Sequence, residues 1–266
     1  MGFSLGTKCK ANHMKFEEVL AEVEGIPYIS PRAGKVLYDF VLEARPRECL
    51  ELGFAHGASS CYVAAALDEL GEGHLTAVDL LSSAERRPSI EDLLEKTKLS
   101  QCVTVQREKN SYTWFLKKQI EQRSGSGACE PLYDFVYIDG PKNWTVDGCA
   151  FFLADKLLNQ GGWILFDDYK WAYGQTREET DGFVHREMSE DQLKNPNIEL
   201  VFRYLVMQHP DYSKFRIQDD EWAWAQKVQS SRRVVNVETR FSPLFKARQM
   251  LHSIGNRLRS APANRG

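Results

Sequence analysis

Between Arg47 and Leu80 the chain passes from an apolar segment, Glu48–Leu52, through the turn Gly53-Phe54-Ala55-His56-Gly57. It continues into a helix-forming stretch over residues 59–70 and a second apolar segment, His74–Leu80. A strand, a crossover helix and a second strand of these lengths make a βαβ unit, which needs further parallel strands and covering helices to bury both faces. The turn also constrains what can bind. A dinucleotide fingerprint requires G-x-G-x-x-G, whose middle glycine lets the backbone approach a pyrophosphate. Ala55 stands at that middle position, so a smaller ligand without a pyrophosphate is expected. Glu51 places a carboxylate at the end of the first strand, facing the crevice, where a cationic ligand suits it.

The alternation extends in both directions. Upstream, residues 15–25 form a short amphipathic helix, Pro27 to Pro31 makes a break, and a second helix covers residues 32–43. Downstream, a helix over 89–99 leads to a short strand over 103–106 and a helix over 112–122. The loop Ser124-Gly125-Ser126-Gly127 precedes Tyr133–Ile138, the strongest buried-strand signal in the chain. A helix over 146–158, a Gly161-Gly162 turn and a strand over 163–166 complete five parallel strands, whose crossovers must be right-handed. After Asp168 the pattern is polar and helix-permitting up to Asn195. Strands are then predicted over 199–208 and 221–228, paired as an antiparallel hairpin. The expected fold is α/β, a doubly wound, Rossmann-like, mostly parallel seven-stranded sheet with a terminal antiparallel hairpin and helices on both faces.

With 266 residues and 42% hydrophobic content, one α/β core is enough to account for the chain. Residues 1–25 read as a tail and helix, 26–235 as the domain, and 236–266 as a basic tail. In that tail Leu244, Ala247, Leu251, Ile254 and Leu258 recur at helical steps among Lys246, Arg248, Arg257 and Arg259. Such a helix is expected to pack on the domain or join a homo-oligomer, with a membrane surface as the alternative. A net charge of −3 argues against nucleic acid as partner. No run approaches the roughly 20 apolar residues of a membrane span. Residues 1–15 lack an apolar leader segment, and the six cysteines are scattered without a C-x-x-C pair. Free thiols, no zinc and a cytoplasmic location are expected.

In an open α/β sheet ligands bind beyond the carboxyl ends of the strands, so acids that terminate strands are the candidates for chemistry. Glu51 ends the first strand, Asp79 the second, Asp139 follows Ile138, and Asp167 with Asp168 follows Phe166. Asp79 suits a ribose, because a carboxylate accepts two hydrogen bonds from a vicinal diol. Together with the acid before the glycine turn, this favours S-adenosylmethionine, which carries an ammonium, a sulfonium and a ribose. Asp139, Asp167 and Asp168 would repel one another unless a cation sits among them. Oxygen-only donors select Mg²⁺, or else Mn²⁺ or Ca²⁺. Lys142, three residues after Asp139, can reach a hydroxyl held at that ion and act as base.

Glu51-Leu52-Gly53 through Gly57 and Ser59, then Asp79, the Asp139-x-x-Lys142 step and the later acid pair resemble the class I S-adenosylmethionine-dependent O-methyltransferases, in particular the metal-dependent catechol type. Ser30-Pro31 to Gly34 adds to the likeness, which covers about residues 26–174. The resemblance implies a methyltransferase domain over 26–235 with a cofactor site of Glu51, Gly53, Phe54, Ala55, Gly57, Ser59, Asp79, Leu80, Asn110 and Asp139. Glu51, Gly53 and Ser59 would meet the methionine part and Asp79 with Leu80 the ribose, while Asn110 or Ser111 would lie near adenine. Two departures stand out. Catechol enzymes have an Asp then an Asn where this chain has Asp167-Asp168, and a His-Trp where it has Gly140-Pro141. The double acid is similar to bacterial enzymes that methylate sugar hydroxyls of natural products, in which the acid matching Asp139 serves as base.

The expected reaction is therefore divalent-metal-assisted methyl transfer to the hydroxyl of a small molecule, catechol-like or of the sugar and natural-product kind. Asp139, Asp167 and Asp168 are expected as metal ligands, and Lys142 or Asp139 as base. Trp144, Trp171 and Tyr173 could wall the acceptor pocket. Two alternatives share the scaffold: a non-catalytic binding or assembly protein, and a metal-dependent hydroxylase, although the latter would want histidine ligands.

Overall fold

In a computed structural model of the chain, residues 14–125, 127–175, 188–230 and 250 are described. Two short helices come first, α1 (Phe16–Val23) and α2 (Pro31–Ala44), the latter opened by Pro31 in its first turn and by the Ser30 hydroxyl, which accepts from the Ala33 amide. The alternating body follows: β1 (Glu48–Leu52), α3 (Ala58–Leu70), β2 (His74–Leu80), α4 (Ile90–Lys96), β3 (Val103–Glu108), α5 (Tyr112–Arg123), β4 (Tyr133–Ile138), α6 (Trp144–Leu157) and β5 (Leu158–Phe166). The hairpin β6 (Tyr212–Gln218) and β7 (Trp222–Lys227) closes the sheet. Strand order is β3-β2-β1-β4-β5-β7-β6, with the first five parallel and β7 antiparallel to both neighbours. The seven-stranded doubly wound sheet is the expected one.

Successive strand residues face opposite sides, so each strand feeds two cores. Cys49, Phe135 and Leu165 pack with α1 to α4, whereas Leu50, Val136 and Ile164 pack with α5 and α6. Each of the Val, Leu, Ile and Phe side chains among them, once fully buried, contributes about 1.5–3 kcal/mol. Glu51 and Tyr137 are register partners on the α1–α4 side, which places polar groups at the strand ends of that face.

One expected element is corrected. Residues 199–208 are not a strand: they belong to a short helix, Asn197–Val201, that runs into a π-helical turn, Phe202–Val206. Ile198, Val201, Phe202 and Val206 are buried while Arg203 and Tyr204 are exposed, a stripe of steps three and four rather than alternation. The hairpin's first strand is instead Tyr212–Gln218. The cysteines also depart from expectation: Cys49, Cys61, Cys129 and Cys149 are free, but Cys102 is disulfide-bonded. Contacts divide the chain into Met1–Arg232 and Arg233–Gly266. The basic helix expected over 242–259 lies outside the described residues except for Met250. Among the described residues, no helix is long and apolar enough to cross a membrane.

Candidate active site

The sheet order reverses between β1 and β4, and the residues just beyond these two strands meet there. Backbone bonds continue the ladder past the strand ends: Gly53 N–H donates to the Val78 carbonyl (2.8 Å), Asp139 N–H to Leu52 (2.9 Å) and Asp167 N–H to Ile138 (3.1 Å). The first residues beyond β1, β4 and β5 therefore stand in one row. Gly53 (φ +93°) comes so close to the next strand that a Cβ would lie 2.1 Å from the Asp139 carbonyl oxygen. Only glycine fits both the backbone and the gap.

The turn 53–57 is held open by Asp79. One carboxylate oxygen accepts from the Phe54 and Ala55 amides (3.0 and 2.7 Å), and the other from its neighbour Leu80 (2.6 Å). Ala55 takes a left-handed φ of +50°, as a glycine would, so the missing middle glycine does not alter the course of the turn. Gly57 (φ +92°) packs against Ile90 of α4 and opens α3. The Phe54 ring is buried under the Arg107 guanidinium, which lies 5.5 Å from its centroid, so Phe54 offers the crevice its backbone alone.

Glu51 differs from expectation. Its side chain is fully buried beneath the turn, and its oxygens accept from the hydroxyls of Ser59 and Ser60. It therefore does not face the crevice openly. Burial pushes its carboxyl up to about 7, with the two serine bonds pulling it back. Glu51 fixes the first turn of α3 against β1. Asn110 is exposed beyond β3, next to Ser111, whose side chain caps α5.

Across the row from this turn the acids gather around a lysine. Lys142 Nζ donates to Asp139 Oδ1 (2.5 Å) and pairs with Asp168 Oδ2 (3.1 Å). Asp167 accepts from the Asp168 amide at Oδ1 (2.8 Å) and from the Tyr137 hydroxyl at Oδ2 (2.5 Å). Lys142 (φ +58°) and Asp168 (φ +56°) both adopt the left-handed region, a strained conformation that clusters at functional sites. Burial and the crowding of carboxylates raise Asp139 and Asp167 above the usual range, Lys142 opposing that rise. Burial would lower Lys142, but Asp139, Asp168 and Asp167 outweigh it and keep its proton on.

The loop carrying Lys142 is braced from behind. Asp147 of α6 is fully buried, accepting from the Tyr112 hydroxyl and from the Asn143 amide (2.6 Å). A Cβ on Gly140 would collide with that same Tyr112 hydroxyl, so the Asp139-Gly140 step is shaped to it. Tyr173 donates to the Pro141 carbonyl and meets Trp171 edge-on, ring centres 4.7 Å apart. Tyr137, Tyr112, Asp147 and Ser60 are site-building residues absent from the sequence-derived set. Tyr137 could have been found from its spacing: two residues before Asp139 on a strand, it shares that acid's face.

The structure thus brings together the turn 53–57 with Asp79, and Asp139 with Lys142, Asp167 and Asp168; Gly53 joins the two groups. Residues 50–169 match a family described as methyltransferase domain, a span containing all of these residues. No curated protein matches the chain. Similar solved structures include the O-methyltransferase TomG from Streptomyces achromogenes, involved in tomaymycin synthesis and solved in complex with S-adenosylmethionine. Identity to it is 18%, with 80% of this chain and 89% of that one covered and a TM-score of 0.55. An O-methyltransferase from Bacillus cereus, solved in complex with S-adenosylhomocysteine, is 22% identical over 80% and 90% of the two chains (TM-score 0.54). The methyltransferase PaMTH1 of Podospora anserina, also solved bound to S-adenosylhomocysteine, is 13% identical over 81% and 88% (TM-score 0.55).

Proposed function

We propose that this chain is a methyltransferase that transfers the methyl group of S-adenosylmethionine to a hydroxyl oxygen of a small molecule, catechol-like or of the sugar and natural-product kind, with a divalent metal assisting. The observation that carries the reading is the convergence of Asp139 and Asp168 on one positive charge, the Lys142 ammonium, beside the Gly53 turn. The O-methyltransferases of similar fold and their cofactor complexes support the choice of cofactor and acceptor atom.

The donor set fits Mg²⁺, Mn²⁺ or Ca²⁺. Asp139, Asp167 and Asp168 offer hard carboxylate oxygens only, and such crowding calls for a cation. Among the described residues no three His, Cys, Asp or Glu side chains already form a cage: two of the acids turn to Lys142 and the third to Tyr137, so binding requires side-chain rotation. When bound, the ion would lower the pKa of the acceptor hydroxyl and hold its oxygen in place.

The chain's own residues supply the rest. The turn 53–57, shaped by Asp79 from below, would meet the methionine part of the cofactor through its backbone at Gly53 and Gly57, with Glu51 and Ser59 supporting it from beneath, and Asp79 and Leu80 would take the ribose if the Asp79 carboxylate exchanged a turn amide for a ribose hydroxyl. The acceptor oxygen attacks the methyl carbon in line. The new O–CH₃ bond forms as the S–CH₃ bond breaks, and its electron pair returns to sulfur. The hydroxyl proton goes to Asp139, since Lys142 in the arrangement described is already protonated; Lys142 becomes the acceptor if it first gives up its proton. Trp144, Trp171 and Tyr173 would wall the acceptor side, and orientation would supply much of the rate.

Calorimetric titration with S-adenosylmethionine, with and without Mg²⁺, tests the reading on the wild type and on Asp139→Asn. The wild type should bind the cofactor, and Mg²⁺ binding should weaken at least tenfold in the variant. A wild type that binds no S-adenosylmethionine contradicts the cofactor; Mg²⁺ binding left unchanged by the substitution contradicts the ligand set.

A further inference from the structure

We propose that Arg107 is a positioning residue for the cofactor: through the Phe54 ring it fixes the turn 53–57, and it keeps the turn in place when Asp79 exchanges a turn amide for a ribose hydroxyl. The inference rests on the reading of S-adenosylmethionine as the cofactor and needs no metal.

A turn that meets a ligand through its backbone needs a second hold. Asp79 accepts from the Phe54 and Ala55 amides through one oxygen and from the Leu80 amide through the other, so a ribose hydroxyl competes for the same carboxylate. Phe54 is also where the turn closes, its carbonyl accepting from the Gly57 amide (2.6 Å). Ala55 has a φ of +50°, a conformation that a residue other than glycine keeps only where its surroundings impose it.

Arg107 supplies that hold from the edge strand β3, where it is the register partner of Asp79. Its guanidinium lies 5.5 Å from the centre of the Phe54 ring, which is 2% exposed, and a cation over an aromatic face is attracted to it. The guanidinium is itself fixed. Nη1 and Nη2 donate to the two carboxylate oxygens of Glu91 (2.7 and 2.9 Å), and Nε donates to the Ser83 hydroxyl (3.0 Å). A two-pronged bond of this kind sets the plane of the group as well as its place. Glu91 belongs to α4, and the same segment holds the far end of the turn: His56 Nδ1 donates to the Pro88 carbonyl (2.8 Å), and a Cβ on Gly57 would collide with Ile90. The start of α4 thus reaches the turn at both ends, directly at residues 56 and 57 and through Arg107 at Phe54. Phe54 gives its ring to this hold and leaves its backbone to Asp79 and the cofactor.

The test is calorimetric titration of S-adenosylhomocysteine into the full chain for wild type, Arg107→Met, Arg107→Lys, Phe54→Leu and the double variant of Arg107→Met with Phe54→Leu. Methionine keeps the length of the side chain and loses the charge and the fork, whereas leucine keeps the burial and loses the ring face. The expected result is a Kd raised at least about fivefold in Arg107→Met, with Arg107→Lys between it and wild type because a cation stays over the ring. In the double variant the Kd should lie within about twofold of Phe54→Leu alone, because without the ring Arg107 has nothing to act through. A Kd for Arg107→Met equal to that of wild type overturns the inference. Effects that multiply in the double variant also overturn it, since Arg107 would then act on the fold at large. A wild type that binds no S-adenosylhomocysteine refutes the cofactor reading itself, and the inference falls with it.

Discussion

At the scale of single residues, Glu51 shows how a group can serve a site from beneath it. The sequence pattern gives the acid and the glycines that follow, but whether that acid faces ligand or core depends on Ser59 and Ser60, which arrive with α3. Burial leaves the Glu51 carboxyl at about 7 instead of the ordinary 4.5. The folded chain then keeps its proton between those values while the unfolded chain has released it. Stability due to this group is present at low pH, falls as pH rises through the window, and levels off above about 7, a cost of ~3 kcal/mol. Glu51→Gln removes the titration and keeps the shape. Thermal melts at pH 5 and pH 8 should therefore show a smaller loss of Tm for the variant than for the wild type. Other groups that titrate in this range, such as Asp147 at about 6, cancel in the comparison. Parallel losses in the two proteins would mean that Glu51 does not titrate there.

Among elements, the segment after Pro196 separates local pattern from packing. Read as a strand, it would put Phe202, Tyr204 and Val206 on one face; as the helix and π-helical turn it forms, it buries Val201 and exposes Tyr204. Val201→Ala should cost about 2 kcal/mol from lost burial and a partly filled cavity. Tyr204→Ala should stay within about 0.5 kcal/mol. Urea unfolding of the two variants measures the difference, and the reverse ranking would restore the strand. The parallel strands were legible because Glu48–Leu52, His74–Leu80 and Tyr133–Ile138 are apolar runs bounded by turn residues. The segment Leu200-Val201-Phe202 was not, since a short apolar run has no period of its own. Strand Tyr212–Gln218 was hidden for the opposite reason: as an edge it carries Ser213, Lys214 and Arg216 and no apolar run. In the site, the acids were legible because strand ends announce them. The place of Tyr137 on the face of Asp139 follows from its spacing, but its bond to Asp167 and the Tyr112–Asp147 pair were not legible, because each hydroxyl there finds its partner on another element, at a separation that no local pattern encodes.

Across the molecule, the order β3-β2-β1-β4-β5-β7-β6 accounts for the meeting of residues as far apart in sequence as Gly53 and Asp139. The reversal between β1 and β4 sets the turn 53–57 on one side of the switch point and the acids on the other. The hairpin reinforces the second side: the Tyr169 and Lys170 amides donate to the Glu221 and Asp220 carbonyls (2.8 and 3.1 Å), fixing the chain just after Asp168. The fold thus supplies a shared row of strand ends, and the residues at those ends decide the chemistry. The most direct measurement is methyl transfer from isotope-labelled S-adenosylmethionine to a panel of catechols and sugar hydroxyls, with Mg²⁺ and with a chelator. The account predicts label on oxygen of at least one acceptor, with the rate falling at least a hundredfold when the metal is removed. Label transfer at the same rate in chelator, or label on carbon or nitrogen instead, would contradict it.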